Sequence, residues 1–406
     1  MWPLAIKALP ALYGAGLVLF VIRILPPAEF GKYGIAFAFV NLWAGVSRGI
    51  WIPPLVTYAA VGRRDEILAE IWLMSTLTAS LGVGVASIVL PLLNTGFGVA
   101  LLAGSILVAL VPRDLALGLA QAQERGSVAF IIEAGYFCSA LAGFVILQFM
   151  GLLNTSVMAV TINLAAAIIS AIAGLLYYRW PARWKVSRDW RELWTSSRWL
   201  GSLTLGDMAL QQGDALLAGA FFSPAQVAPY LAARTMVRLY GLFSQAVNFV
   251  VLPVASRLGA AGQFKRLRRR LRFAGGTLIV ALLPLSLLLW FGAPVLFPMI
   301  LGDKYAAAIP YFRVIILITL FEPVYSLATN ALVGIRRPQA VVPVTWAGVT
   351  CSLLVNLILF TTIGIAGAPI TLVITYAVLA VGAARVVDRV LASDTVSQLA
   401  PDSNHS

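Results

Sequence analysis

Apolar stretches of about 20 residues or more alternate along this chain with short polar connections. A helix needs roughly 20 mostly apolar residues to cross the hydrocarbon core of a bilayer. The pattern therefore predicts twelve membrane-spanning helices and an all-α integral membrane fold. The predicted helices cover 4–25, 31–55, 68–92, 97–121, 127–150, 155–178, 198–222, 226–254, 274–297, 306–332, 339–362 and 366–390.

Composition agrees with a membrane protein. Of the 406 residues, 60% are apolar and 11% are charged, whereas about 25% are charged in a typical soluble domain. The only histidine is His405, and the two cysteines, Cys138 and Cys351, lie inside apolar stretches. This excludes a Ser-His-Asp triad, a His metal site and a disulfide framework. We predict no metal, no cofactor and no enzymatic activity.

The basic residues predict the orientation of the chain. Cytoplasmic loops carry the excess of lysine and arginine, and here the odd-numbered connections hold only Lys32 and Lys304. Both termini are therefore predicted to be cytoplasmic. The even-numbered connections hold seventeen basic residues: Arg63, Arg64, Arg125, Arg179, Arg183, Lys185, Arg188, Arg191, Arg257, Lys265, Arg266, Arg268, Arg269, Arg270, Arg272, Arg336 and Arg337.

Two of the cytoplasmic connections have a distinctive composition. Residues 179–197 place four tryptophans among basic residues, which is typical of a helix in the headgroup region. Residues 264–273, FKRLRRRLRF, contain six cations. With a net charge of +13, basic runs between apolar stretches favour anionic membrane lipids as partners over nucleic acid. The runs serve either as topological anchors or to capture an anionic substrate headgroup.

An internal repeat divides the chain in two. Pro27-Ala28-Glu29 and Tyr33 recur 197 positions later as Pro224-Ala225-Gln226 and Tyr230. We predict a six-helix lobe at 1–178, an interfacial linker at 179–197, a second six-helix lobe at 198–390, and a disordered tail at 391–406. Lobes with the same topology are related by a parallel pseudo-two-fold, and such transporters hold substrate between the halves.

Charged residues inside predicted helices cost a few kcal/mol each and are functional candidates. Six arginines outnumber five acids, and the arginine fork suits phosphate. We therefore predict a cationic cavity for a phosphate-bearing substrate. The candidates are Arg23, Arg48, Arg113, Asp114, Glu133, Asp207, Asp214, Arg234, Arg238, Arg313 and Glu322.

Matching depth in consecutive helices predicts ion pairs. Asp214 and Arg234 lie about ten residues either side of the turn near 224, and Asp207 and Arg238 match in the same way. Two interpretations stay open: pairs that join the two helices, or arginines in a wet cavity that exchange an aspartate for phosphate. The predicted helices 97–121 and 127–150 form a second hairpin, in which Arg113 and Glu133 lie at the same depth. We predict that they form an ion pair.

The remaining charges have less certain partners. Arg23 is at the outer interface, where its side chain can reach water. Arg48 is deep, without an evident partner, and either reaches the inner headgroups or binds substrate. Arg313 and Glu322 are nine positions apart, which places them on opposite faces of one helix. Glu322 precedes Pro323, near a predicted kink, and is our candidate for coupling to H⁺ or Na⁺.

Three segments resemble the polysaccharide flippases of the multidrug/oligosaccharidyl-lipid/polysaccharide (MOP) superfamily: RILPPAEFGKYG at 23–34, DALLAGAFFSPAQVAPYLAARTM at 214–236 and LGDKYAAAIPYFRV at 301–314. The resemblance implies a V-shaped, MATE-like transporter in a bacterial or archaeal inner membrane. It would flip an undecaprenyl-diphosphate-linked oligosaccharide to the outer leaflet for cell-surface polysaccharide. The family's cavity arginines match Arg23, Arg48, Arg234 and Arg238, to which we add Arg313.

The sequence also bears on two rival functions. A cation-coupled multidrug exporter of the same fold is the alternative, and an acidic cavity would favour it. A membrane polymerase or glycosyltransferase would need a long outer loop or an acidic metal motif, and the sequence shows neither.

Overall fold

In a computed structural model of the chain, the described residues are 16–60, 64–178, 180, 190–238, 251, 253–335 and 337–399. Side chains are described in the same ranges except at 64–66, 190–197, 238 and 393–399. Every regular element in these residues is helical.

The first half contains eight helices in the described residues. They are α1 (16–24), α2 (Pro27–Ala60), α3 (Arg64–Leu92), α4 (Phe97–Ala122), α5 (Gly126–Phe149), α6 (Ser156–Tyr177), α7 (Trp190–Phe221) and α8 (Pro224–Arg238).

The second half is interrupted by short 3₁₀ segments at Asp303–Ala308, Ile316–Leu320, Pro338–Ala340 and Gly364–Ala366. Its α-helices are α9 (253–260), α10 (Phe264–Leu301), α11 (Ile309–Ile315), α12 (Glu322–Gly334), α13 (Val342–Ile363) and α14 (Gly367–Leu399).

Length and composition give eight candidate membrane spans in the described part of the chain. The last candidate, Pro338–Ala392, contains two predicted helices, 339–362 and 366–390. The first predicted helix, 4–25, and the eighth, 226–254, lie partly outside the described residues. Helix α7 is absent from the eight because two glutamines and two aspartates lower its mean hydropathy.

Several predicted boundaries were wrong. Helix α10 begins at Phe264 rather than 274, because leucine, arginine and lysine are good helix formers in water as well as in lipid. The predicted helix 306–332 is broken by the 3₁₀ segment Ile316–Leu320, and α12 starts at Glu322, next to Pro323. The break agrees with the predicted kink.

The predicted tail and linker lie partly outside the described residues. Helix α14 continues to Leu399, and 400–406 lie outside the described residues. Disorder of the tail stays a prediction. Most of the predicted linker 179–197 also lies outside the described residues, while α7 begins within it at Trp190.

Contacts group the described residues into two compact units. The first contains residues up to Thr235 together with Ile300–Tyr305, and the second contains Met236–Met299 and the residues from Ala306 onward. Helices α7 and α8 thus pack within the first unit, although they follow the predicted linker. The two six-helix lobes stay a prediction.

Glycines allow α2 to pack closely against α7 and α8 in the first unit. A Cβ atom at Gly31 would lie 1.9 Å from the carbonyl oxygen of Pro224. Further along the same helix, a Cβ at Gly45 would lie 2.3 Å from the sulfur of Met208. Small residues are favoured where helices approach closely in membranes.

Glu29 connects the start of α2 to the start of α6. Its Oε2 atom accepts hydrogen bonds of 2.7 Å from both the backbone nitrogen and the hydroxyl of Ser156. Its Oε1 atom accepts one of 2.7 Å from Lys32. A carboxylate at a helix N-terminus binds otherwise unpaired N–H groups and favours the positive end of the helix dipole.

Replacing Glu29 with alanine is therefore expected to destabilise the protein by about 1–2 kcal/mol, the cost of losing a helix cap. Lys32→Ala is the matched control, because it removes only the half-buried ion pair with Glu29 and leaves the cap of α6 in place, so it should cost less than about 1 kcal/mol. Denaturant unfolding of the purified protein in detergent would measure both. Equal effects of the two changes would contradict the capping role.

Candidate functional site

A cluster of charged side chains lies inside the first unit, where α2, α4 and α5 meet. Arg48 on α2 approaches Asp114 on α4, with 3.7 Å between Nε and Oδ2. The same Nε atom donates to the carbonyl oxygen of Ala44 at 3.2 Å. Among the described residues, the two terminal amino groups of Arg48 form no hydrogen bond. Its side chain is 45% exposed.

Arg113, one residue before Asp114, forms closer contacts than Arg48 does. Its Nη2 atom donates to Oε2 of Glu133 on α5 at 2.6 Å, and its Nη1 atom lies 3.3 Å from Oδ1 of Asp114. The guanidinium carbon lies 5.0 Å from the ring centre of Tyr136. The Arg113 side chain is only 9% exposed. The pairing expected from matching depth is present, and it compensates buried charge.

Polar contacts continue from this cluster towards the N-terminal end of α2. The hydroxyl of Tyr136 donates to Oδ1 of Asn163 on α6 at 3.2 Å. The Nδ2 atom of Asn163 in turn donates to the hydroxyl of Tyr33 at 3.4 Å. Asn163 and Tyr33 are both buried. A buried polar group is costly unless it is paired, so this chain fixes α2, α5 and α6 relative to one another.

A pocket opens beside Arg48, between α2, α3 and α4. It has a volume of about 340 Å³ including its open mouth. Its polar lining consists of Ser47, Arg48, Ser75 and Asp114, and Trp43 forms part of its wall. The Trp43 indole nitrogen donates to the carbonyl oxygen of Thr78 at 2.8 Å, which fixes the ring. The pocket thus combines an arginine fork, hydroxyls and an aromatic face.

A second charged group lies on the α7–α8 hairpin of the same unit. The Nη1 atom of Arg234 lies 2.8 Å from Oδ1 of Asp214, and the Tyr230 hydroxyl donates to Oδ2 of the same carboxylate. The Asp214 side chain is fully buried and that of Arg234 is 11% exposed. This geometry supports the interpretation that the pair joins α7 to α8, which the sequence left open.

The other predicted residues lie in different places. Asp207 is half-buried on α7, whereas the Arg238 side chain lies outside the described part of the chain. The Arg23 side chain is exposed near the end of α1, and its carbonyl oxygen accepts a 2.7 Å hydrogen bond from Lys304.

Two candidates belong to the second unit. Arg313 on α11 donates from Nε to the carbonyl oxygen of Trp290 at 3.2 Å. Glu322 is the first residue of α12 and is half-buried. Within the side chains that the structure describes, no cluster of three His, Cys, Asp or Glu residues has the arrangement of a metal site.

Asp114 was not among the partners predicted for Arg48 from the sequence. A signal was present, since Arg48 precedes the end of its predicted helix at 55 by seven positions and Asp114 precedes the end at 121 by seven. Both predicted helices run in the same direction, so the two side chains lie at equal depth. We compared depths only within hairpins, and α2 and α4 are not consecutive.

Comparison with known proteins shows the family. The family model described as "Polysaccharide biosynthesis protein" matches residues 20–310, well over half of the chain. The chain belongs to this family. The resemblance seen in three sequence segments is thereby confirmed, and the family places this polysaccharide biosynthesis protein in the MOP superfamily.

Solved structures share the fold of this polysaccharide biosynthesis protein. An inward-facing multidrug resistance MATE family transporter of the MOP superfamily gives a TM-score of 0.79 at 12% identity, covering 95% of both chains. The lipid II flippase MurJ, in an inward closed conformation, gives 0.73 at 12% identity, covering 97% of this chain and 90% of that one.

A third structure is a MOP superfamily transporter from Pyrococcus furiosus, with a TM-score of 0.58 at 14% identity, covering 97% of this chain and 94% of that one. Its title states that a binding pocket of reverse polarity suggests a different function. These likenesses establish the predicted all-α, MATE-like fold and a multi-pass membrane protein. At such identities they establish nothing more specific.

A sequence relative comes from the archaeon Methanocaldococcus jannaschii. It is named an uncharacterized membrane protein and is 28% identical over 177 residues. The match covers 43% of this chain and 34% of that protein. This chain therefore matches only about a third of the relative's length.

Proposed function

We propose that this protein flips an undecaprenyl-diphosphate-linked oligosaccharide from the cytoplasmic to the outer leaflet by alternating access. The observation that carries the proposal is the geometry of Arg48. Arg48 lines a mostly apolar pocket and its terminal amino groups form no hydrogen bond among the described residues, while the other arginine of the cluster, Arg113, is buried in an ion pair. Family membership in polysaccharide biosynthesis and the likeness to a lipid II flippase add support.

Charge explains what Arg48 would contribute. A diphosphate cannot enter a low-dielectric environment without compensation, because isolated charges are very costly there. Arginine remains cationic at any relevant pH and binds phosphate through two parallel hydrogen bonds. Asp114 lies 3.7 Å from Arg48, longer than a normal hydrogen bond. It therefore neutralises Arg48 in the empty protein yet leaves the fork free for phosphate.

The groups that line the pocket next to Arg48 are of the kinds that bind the sugar attached to the diphosphate. Ser47 and Ser75 offer hydroxyls, and Trp43 offers a fixed aromatic face. A sugar ring presents apolar C–H groups on one side and hydroxyls at its edge. Such a ligand needs a few polar groups in an otherwise apolar recess.

The remaining predicted residues have supporting roles in the proposed transport. Arg23, Arg234, Arg238 and Arg313 would guide the diphosphate along its path, Arg234 only after release from Asp214. Asp207 and Glu322 are the candidates for coupling to H⁺ or Na⁺. The protein would lie in a bacterial or archaeal inner membrane with both termini in the cytoplasm, where seventeen basic residues favour anionic lipids.

The test is to replace Arg48 with glutamine in the full chain, reconstituted in liposomes with a fluorescent polyprenyl-diphosphate oligosaccharide. Losing a charged hydrogen-bond donor costs about 1.5–3 kcal/mol. Transport is therefore expected to fall about 10- to 100-fold. Arg48→Lys keeps the charge and loses the fork, so an intermediate rate is expected.

Arg125→Gln is the matched control, since Arg125 is exposed between α4 and α5, away from the pocket. It should transport at the wild-type rate. Wild-type transport by a folded Arg48→Gln protein would remove Arg48 from the mechanism. Drug efflux by the wild-type protein, without movement of the lipid-linked sugar, would instead favour the multidrug exporter.

A further inference from the structure

A basic surface occupies one end of α10 in the second unit. Five of the six cations between Phe264 and Phe273 are exposed beside the apolar anchors Leu267 and Leu271, which are 1% and 9% exposed. Among the described side chains, none of Lys265, Arg269 and Arg270 forms an ion pair. The five exposed cations are Lys265, Arg266, Arg269, Arg270 and Arg272.

Helix α14, distant in sequence, holds two arginines of this surface and adds two more. Asp388 on α14 pairs with Nε of Arg268 at 2.7 Å and with Nη2 of Arg272 at 2.8 Å. Arg385 and Arg389, on either side of Asp388, are exposed. One carboxylate thus holds two arginines in place within a group of eight cations, and a net charge of +7 remains (eight minus one).

The exposed face of α10 changes from basic to apolar at Phe273. From Arg266 onward, positions three or four apart lie on one face of the helix. Phe273 is 77% exposed and Val295 is 69% exposed, about 33 Å further along the axis. This length matches the roughly 30 Å hydrocarbon core. Between them, the same face exposes Val280, Leu287, Leu288 and Phe291.

We propose that this face of α10, with α14 beside it, is a binding site for an anionic phospholipid of the cytoplasmic leaflet. The phosphate would contact Arg269 and Arg270, and an acyl chain would lie along Phe273 and Val280. The leaflet follows from the predicted orientation, whereas the site itself does not depend on the transported substrate.

Topological anchoring alone does not account for the arrangement. That role requires basic residues near a helix end and no particular partner. Here Asp388 connects two helices and holds Arg268 and Arg272 against α14, which directs the remaining cations outward. The arginines also continue without interruption into the face that the acyl chains cover. The phosphate and the acyl chain of one lipid therefore meet a basic surface and an apolar surface along the same face of α10.

The experiment is native mass spectrometry of the purified full chain, titrated with phosphatidylglycerol and separately with phosphatidylcholine. The wild-type protein is expected to retain phosphatidylglycerol preferentially. Each basic residue near an anionic lipid contributes about a fivefold gain in affinity, so R269Q/R270Q should lower the affinity about 30-fold. Should the double variant fail to accumulate, R270Q alone is expected to lower it about fivefold.

The matched control is R125Q/R257Q, which removes two exposed cations elsewhere and should bind phosphatidylglycerol like the wild type. Equal losses in both double variants would show a net-charge effect and overturn the site. Unchanged binding by R269Q/R270Q would overturn it as well. Displacement of phosphatidylglycerol by undecaprenyl diphosphate at equal concentration would assign the site to the substrate's phosphate instead.

Discussion

Replacing Arg113 with methionine is expected to destabilise the protein by about 3–5 kcal/mol, because the change removes the buried cation that pairs with Glu133. Arg113 lies 2.6 Å from Glu133 and 3.3 Å from Asp114, and its side chain is 9% exposed. Removing one partner of such a pair costs far more than the pair contributes as a whole. Denaturant unfolding in detergent would measure the change in free energy.

The double variant R113M/E133Q separates this effect from a simple loss of packing. It removes the cation and the carboxylate that contacts it most closely, so it should be more stable than R113M alone. Asp114 would keep Arg48 as a partner. A coupling energy of about 1–3 kcal/mol is expected between the two positions. K32M, at a half-buried ion pair far less enclosed than that of Arg113, is the control and should cost less than about 1 kcal/mol. Additive single effects would contradict the ion-pair account.

Hydrophobic pattern predicts where the chain enters lipid, but it does not predict where a helix ends. Helix α10 starts ten residues before its apolar part, because leucine and arginine continue the helix in water. The opposite occurs at 306–332, where apolar sequence continues but the helix breaks at Ile316–Leu320. In this segment Thr319 hydrogen-bonds to Ser286 on α10 at 2.9 Å. Such a contact depends on tertiary structure and leaves no periodic signal.

Equal depth in the membrane predicts an ion pair only where the two helices are known to be adjacent. It identified Arg113 with Glu133 and Asp214 with Arg234, because consecutive helices of a hairpin are adjacent. It missed Arg48 with Asp114, because the adjacency of α2 and α4 cannot be read from chain order.

The internal repeat predicts equivalent positions in the two halves. The structure shows that equivalent residues form different hydrogen bonds. Tyr33 and Tyr230 occupy matching places, and both are buried. Tyr33 accepts a hydrogen bond from Asn163, whereas Tyr230 donates to Asp214. Roles therefore cannot be copied from one half to the other.

Gly31→Ala is expected to have the other large effect, through sterics rather than charge. Its Cβ would lie 1.9 Å from the carbonyl oxygen and 2.5 Å from the carbonyl carbon of Pro224. Both atoms are backbone, so relief requires α2 to move away from α8. Overpacking costs about 1–3 kcal/mol where side chains can adjust, and here they cannot. We expect a loss at or above the upper end of that range, together with loss of transport.

Two other glycines give graded controls for this steric argument. At Gly34 a Cβ would meet a terminal methyl group of Leu231 at 2.5 Å, which can rotate away, so Gly34→Ala should cost clearly less than Gly31→Ala. At Gly135, inside α5, nothing lies within 4 Å. Gly135→Ala should stabilise by up to about 1 kcal/mol through helix propensity. Denaturant unfolding would measure the free energy of unfolding of the three variants. Equal stability of Gly31→Ala and Gly34→Ala would show that α2 can move away from α8 without loss of stability. The predicted order follows from the atom each new methyl group would meet: fixed backbone, a mobile side chain, or open space.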